Sequence, residues 1–83
     1  TAVIRFSPQA ARWVADEQWH PDQQGRALDD GGYELQVPYS ASAELLADVL
    51  AYGPEAEVIA PASLRQAAAD RLHAAAARYA EPE

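Results

Sequence analysis

Polar and apolar residues alternate along this chain with two periods, and the switches between them mark the elements. Ala2, Ile4 and Phe6 alternate with Val3 and Arg5, so residues 2–6 predict a strand covered on one side. Ser7-Pro8 supplies an N-cap hydroxyl and a first-turn proline. A helix over 8–17 follows, sending Ala10, Trp13 and Val14 toward the sheet. It has to break before Trp19-His20-Pro21, because the residue ahead of a proline disfavours the α region. Residues 23–28 read as a weaker, polar strand suited to a sheet edge, and Asp29-Asp30-Gly31-Gly32 as the hairpin turn behind it. Tyr33, Leu35, Val37 and Tyr39 alternate with Glu34 and Gln36 in the clearest strand of the chain. Pro38 cannot donate to a ladder, so it belongs at that strand's end or beside a bulge.

The stretch 42–79 organises the remainder. Leu45, Leu46, Val49 and Leu50 recur at spacings of three and four along one side of a helix capped by Ser40 or Ser42. Tyr52-Gly53-Pro54 stops it, since Gly53 tolerates positive φ and Pro54 cannot continue a helix. Residues 55–60 are short and alternating, hence a strand. Pro61 can open the last helix, with Ser63 and Gln66 spaced as a capping box, and that helix runs to Tyr79. Leu64, Ala68, Leu72, Ala75 and Tyr79 form its apolar stripe, which serves either as core or as an association surface. Leu72, Ala76 and Tyr79 are the candidate self-association residues. The order β-α-β-β-α-β plus one more helix predicts an α+β class. The expected architecture is ferredoxin-like, an antiparallel sheet with helices on one face and an additional C-terminal helix.

Composition narrows the partners. At 83 residues the chain suits one domain, expected over 1–80 with a frayed tail at 81–83. Thirteen acidic against six basic side chains leave a net charge of −7, and there is no lysine. Nucleic-acid binding rests on Lys and Arg neutralising phosphates, so direct contact with DNA, RNA or an anionic membrane is not expected. With no cysteine, disulfides and thiolate metal sites are excluded. No apolar run approaches the roughly 20 residues that span a bilayer, and a cytoplasmic location is expected.

Candidate chemistry is sparse. Ser7, Ser40, Ser42 and Ser63 sit where helix caps belong, and none lies in a Gly-x-Ser-x-Gly elbow. His20 and His73 are the only histidines and share no ligand spacing. No catalytic residue, metal or cofactor is therefore expected. Trp19 and His20, with Gln23 close by, offer an indole for stacking and an imidazole for hydrogen bonding, or else simply anchor a corner. Arg65 falls in the first turn of the last helix, where free N–H groups and the helix dipole favour an anion. Arg5 adds a second positive group. The bland alternative is pairing of Arg65 with Glu55 or Glu57. Arg65, Arg5, Trp19, His20 and Gln23 thus form a candidate set for an anionic metabolite or nucleotide.

Several motifs also occur in a telling order. Arg-Phe-Ser-Pro closes the first strand, and Trp-His-Pro-Asp-Gln follows the first helix. After the Asp-Gly hairpin come Tyr-Gly-Pro-Glu-Ala, then Glu-Val-Ile-Ala-Pro, Leu-Arg and a closing Arg-Tyr. This series resembles WCX, the C-terminal extension domain of bacterial WYL-domain transcriptional regulators, over nearly all of residues 2–79. The matching positions are Phe6, Ser7, Pro8, His20, Pro21, Gln23, Gly31, Gly53, Pro61, Leu64, Arg65 and Tyr79, most of them structural in kind. The resemblance implies a ferredoxin-like fold, a homodimer, contact with the WYL domain of the same regulator and assistance in effector sensing. DNA would be reached only indirectly, through an N-terminal helix-turn-helix that this stretch lacks, as it lacks the WYL domain. The sequence is thus expected to be a domain fragment.

Overall fold

A computed structural model describes residues 1–80, and the expected tail at 81–83 lies outside them. The chain runs β1 (Ala2–Phe6), α1 (Pro8–Val14), β2 (Gln24–Ala27), β3 (Tyr33–Val37), α2 (Ser42–Leu50), β4 (Ala56–Ala60) and α3 (Ala62–Arg78), with a short 3-10 turn at Gly53–Glu55. The four strands form one sheet in the order β2-β3-β1-β4, with every neighbouring pair antiparallel. Successive strands are thus not always neighbours. Each of the two β-α-β passages straddles a strand belonging to the other.

Alternation explains why the sheet has one dry face. Ala2, Ile4 and Phe6 point inward from β1, Leu35 and Val37 from β3, and Val58 from β4. Ile4 lies opposite Leu35 on one side and Val58 on the other, so three branched side chains make a belt across the sheet. Over it pack Ala10 and Val14 of α1, Leu45, Leu46 and Val49 of α2, and Leu64 and Ala68 of α3. Spacings of three and four put each of these sets on one helix face. All three helices therefore share one core.

Local chemistry sets most boundaries. The Ser7 hydroxyl accepts from the Ala10 N–H at 3.3 Å and caps α1, with Pro8 at its first position. Gly53 stops α2 at φ +59° and Gly31 shapes the hairpin at φ +91°, both in the left-handed region that only glycine enters without strain. Pro38 lies just past the end of β3, where it costs no ladder bond.

Other expectations need correction. The first helix stops at Val14 rather than near 17, because the chain turns there to bring Trp19 back over Phe6. Trp13 does not face the sheet. It is 63% exposed beside the Arg12 guanidinium, and Trp19 takes the inward place instead. Neither Ser40 nor Ser42 caps α2, whose N-cap is Ala41 with no side-chain bond. The Ser63–Gln66 capping box does not form either. Pro61 occupies the cap, Ser63 lies inside the first turn, and the Gln66 amide donates to Asp70 at 2.8 Å. Glu55 belongs to the 3-10 turn, where its carboxylate accepts from the Ser7 hydroxyl at 2.6 Å.

Candidate functional site

On the open face of the sheet, strand register assembles a row of alternating charge. Arg26 pairs in register with Glu34, Glu34 with Arg5, and Arg5 with Glu57. The two oxygens of Glu34 accept from Nε of Arg5 and Nε of Arg26, each at 3.0 Å. Between these two arginines Glu34 is only 6% exposed. At the far end, Arg65 donates to Glu57 at 2.6 Å and to the Val58 carbonyl at 2.8 Å, which ties the first turn of α3 to β4. Arg5 and Arg65 already have acceptors, and for Arg65 the partner is Glu57, one of the two acids that the bland alternative named. Among the described residues, no three acidic, imidazole or thiol groups converge in a way that could hold a metal ion.

The Arg5 guanidinium, with help from Arg26 and against the opposing effect of burial, holds the Glu34 carboxyl below its usual 4.5. A depressed acid stabilises the fold above the unfolded-state value, and that contribution is lost as pH falls through the lowered one. Glu34→Gln is therefore expected to flatten the acid limb of the stability curve below pH 4.5. Thermal melts of both proteins at a series of acid pH values check this, and parallel acid limbs would refute it.

A second cluster lies at the corner between α1 and β2. The Gln23 side-chain oxygen accepts from the N–H groups of Trp19 and His20, while its amide donates to the Glu17 carbonyl at 2.9 Å. Gln23 is thus a clamp that holds the corner closed. Nδ1 of His20 accepts from the Asp22 N–H at 3.0 Å, so in the neutral ring the proton sits on Nε2. The Trp19 ring packs edge-on against Phe6 at 5.8 Å and stacks beside Tyr52 at 6.2 Å. Glu17 bridges the two outer rings, accepting from the Trp19 indole at 3.0 Å and the Tyr52 hydroxyl at 2.7 Å. Burial, followed by the Glu17 carboxylate, pushes the Tyr52 hydroxyl up to about 12.

Two grooves adjoin these clusters. One of about 180 Å³ lies between the end of β3 and α2, where Trp19, His20, Pro38 and Tyr39 face Glu44, Leu45 and Asp48. The other, also about 180 Å³, runs between α2, β4 and α3 and is lined by Val49, Leu50, Val58, Ala68 and Leu72. Beyond it every residue from 71 to 80, through the end of α3 and its cap, is exposed, Leu72, Ala76 and Tyr79 among them.

The five candidate ligand residues are therefore not brought together. Arg5 belongs to the open face and Arg65 reaches the edge strand β4 from α3, while Trp19, His20 and Gln23 gather at the corner on the core side. Reading the sequence also missed Glu17, Glu34, Glu44, Asp48 and Tyr52. Only Glu44 and Asp48 carried a local signal, a spacing of four on the polar side of α2. No helix among the described residues is long and apolar enough to cross a membrane.

The order of motifs and the sheet that they build agree with one family. A search of the curated proteins finds no match. The family model described as the WCX domain matches residues 1–76, which take in every strand and all but the last residues of α3. By that match the chain belongs to the WCX domain family.

Proposed function

We propose that this chain is the non-catalytic C-terminal regulatory domain of a bacterial WYL-type transcriptional regulator, and that it acts by self-association. WCX membership makes it a WYL-associated regulatory domain. The finer architecture we take as ferredoxin-like. The order β4-β1-β3-β2 with all pairs antiparallel supports this, because a split β-α-β repeat generates that order. The net charge of −7 suits a cytoplasmic appendage that leaves phosphate contacts to a DNA-binding domain elsewhere in the regulator.

The observation that carries self-association is the far half of α3. Leu72 is 45% and Tyr79 89% exposed on a helix that outruns its own core, next to the apolar groove between α2, β4 and α3. A second copy can pack Leu72, Ala76 and Tyr79 against the same surface in a two-fold arrangement, where each patch is its own complement. The base of α3 is tied through Arg65 and Glu57 to β4 and so to the charged sheet face. A neighbouring WYL domain docked on that face would influence the pairing. Effector sensing then requires an effector with different affinities for the two arrangements.

Sedimentation equilibrium over a wide concentration range tests the reading. The wild-type chain should form a reversible dimer. Leu72→Glu and Tyr79→Asp should each weaken it by about 30-fold or more, as expected where a charge replaces an apolar side chain at the centre of an interface. A wild-type chain that remains monomeric throughout would remove self-association by this domain.

A further inference from the structure

We infer that the free edge of β2 is a docking strand for an extended peptide segment of a partner protein, one that alternates aliphatic and acidic residues. The sheet has two edges, and the chain treats them differently. At β4, α3 packs alongside and the Arg65 guanidinium takes up the Val58 carbonyl at 2.8 Å. Pairing of β4 with β1 also slips in register between Val3 and Ile4. Covering, side-chain blocking and irregularity are the usual protections of an edge. β2 has none of them. It is exposed along its whole length, pairs with β3 in unbroken register and contains neither proline nor lysine. The Leu28 N–H bonds back to the Gly32 carbonyl at 2.9 Å, so alternation turns the N–H and C=O groups of Gly25 and Ala27 away from β3. Both residues thus offer a donor and an acceptor to a further strand.

The two faces of that edge specify the side chains of the incoming segment. On the open face, charge alternates strand by strand through Glu57, Arg5, Glu34 and Arg26, and the row stops at β2 on a cation. Arg26 donates to Glu34 through Nε, and among the described residues its terminal nitrogens form no hydrogen bond. A strand added in the same antiparallel manner continues the alternation with a carboxylate opposite Arg26, and opposite charges in facing positions favour pairing. On the other face, a Cβ at Gly25 would fall on the Tyr33 hydroxyl, so the Tyr33 ring lies across β2. That ring is an apolar shelf for the residues opposite Gly25 and Ala27. The partner segment therefore reads aliphatic, acidic, aliphatic, held by main-chain bonds and selected by its alternation.

Amide NMR of the whole chain tests this with the peptide acetyl-Ser-Val-Glu-Val-Thr-Ser-amide and its Val-Lys-Val counterpart. The acidic peptide should give saturable shifts along residues 24–28 and 33–36, with a Kd on the order of 1 mM or tighter. It should also slow hydrogen exchange of the Gly25 and Ala27 amides. The lysine peptide should bind about fivefold more weakly or worse, because it sets like charges face to face. Ala27→Pro removes an outward N–H and no bond to β3, so it should keep its thermal midpoint and lose peptide binding. Should that variant fail to fold, hydrogen exchange in the wild-type chain decides alone. Unslowed exchange at saturating peptide, equal affinity for the two peptides, or full binding by folded Ala27→Pro overturns the inference. Exchange at Gly25 and Ala27 that slows with chain concentration alone means that β2 pairs with a second copy, and overturns it as well.

Discussion

Leu35→Ala is expected to lower the thermal midpoint by roughly 10–30 °C, the result of losing about 2–5 kcal/mol in a domain of this size. Leu35 is fully buried at the middle of β3, directly opposite Ile4, which is itself fully buried. Neighbouring strands on both sides limit how far the sheet can collapse into the vacated space, and a cavity that stays open lies at the costly end of such truncations. The whole fold should be worth only about 4–12 kcal/mol, so one side chain removes a large share of it. Thermal denaturation followed by circular dichroism measures the shift. A drop of only a degree or two would mean that the central belt of Ile4, Leu35 and Val58 is not where the stability resides.

Phe6→Ala should be comparably severe, at about 3–5 kcal/mol, and it reports on the aromatic corner as well. Phe6 is 2% exposed and meets Tyr52 edge-on at 5.2 Å and Trp19 edge-on at 5.8 Å. With its ring gone, the indole gains access to water and tryptophan emission should shift to the red. Because the alanine variant stands close to unfolding, Phe6→Leu serves as its partner, with a cost under about 1.5 kcal/mol. In that variant the Tyr52 hydroxyl, raised chiefly by burial to about 12, should titrate nearer its ordinary 10.0. The sign is definite. A raised value means that stability is fully present below pH 10.0 and is lost as pH climbs toward about 12 in the wild type. Tyrosinate absorbance follows the titration, and an unmoved Tyr52 in Phe6→Leu would show that Phe6 does not shield it.

The corner and the groove bear on the proposed role through a shared residue. Trp19 packs on Phe6 from one cluster and also lines the groove that holds Glu44 and Asp48. That groove and the core side of the sheet are thus joined through one ring. The surface proposed for self-association, by contrast, lies on α3 beyond Ala68, at the other groove. Charge substitutions at Leu72 or Tyr79, remote from the corner, should leave the tryptophan emission of Trp19 unchanged.

What the sequence determined by itself was the order of the elements and the composition of their faces. The inward sets Ala2, Ile4, Phe6 and Leu45, Leu46, Val49 follow from periods of two and 3.6, which are local properties of the backbone. Gly53, Gly31, Pro8 and Ser7 act through their own φ preferences and nearest neighbours, so their roles were equally legible. Tertiary structure alone decided which polar groups meet. Glu34 is 29 residues from Arg5, and Glu17 is 35 from Tyr52. Pairs so distant are set by strand register and by how the helices lie on the sheet, and no local pattern encodes them. The same holds for Trp13 and Trp19, two indoles on either side of the end of α1. The short α1 and the turn after it decide which one the core receives, and it takes Trp19 because the returning chain, clamped by Gln23, lays that ring on Phe6.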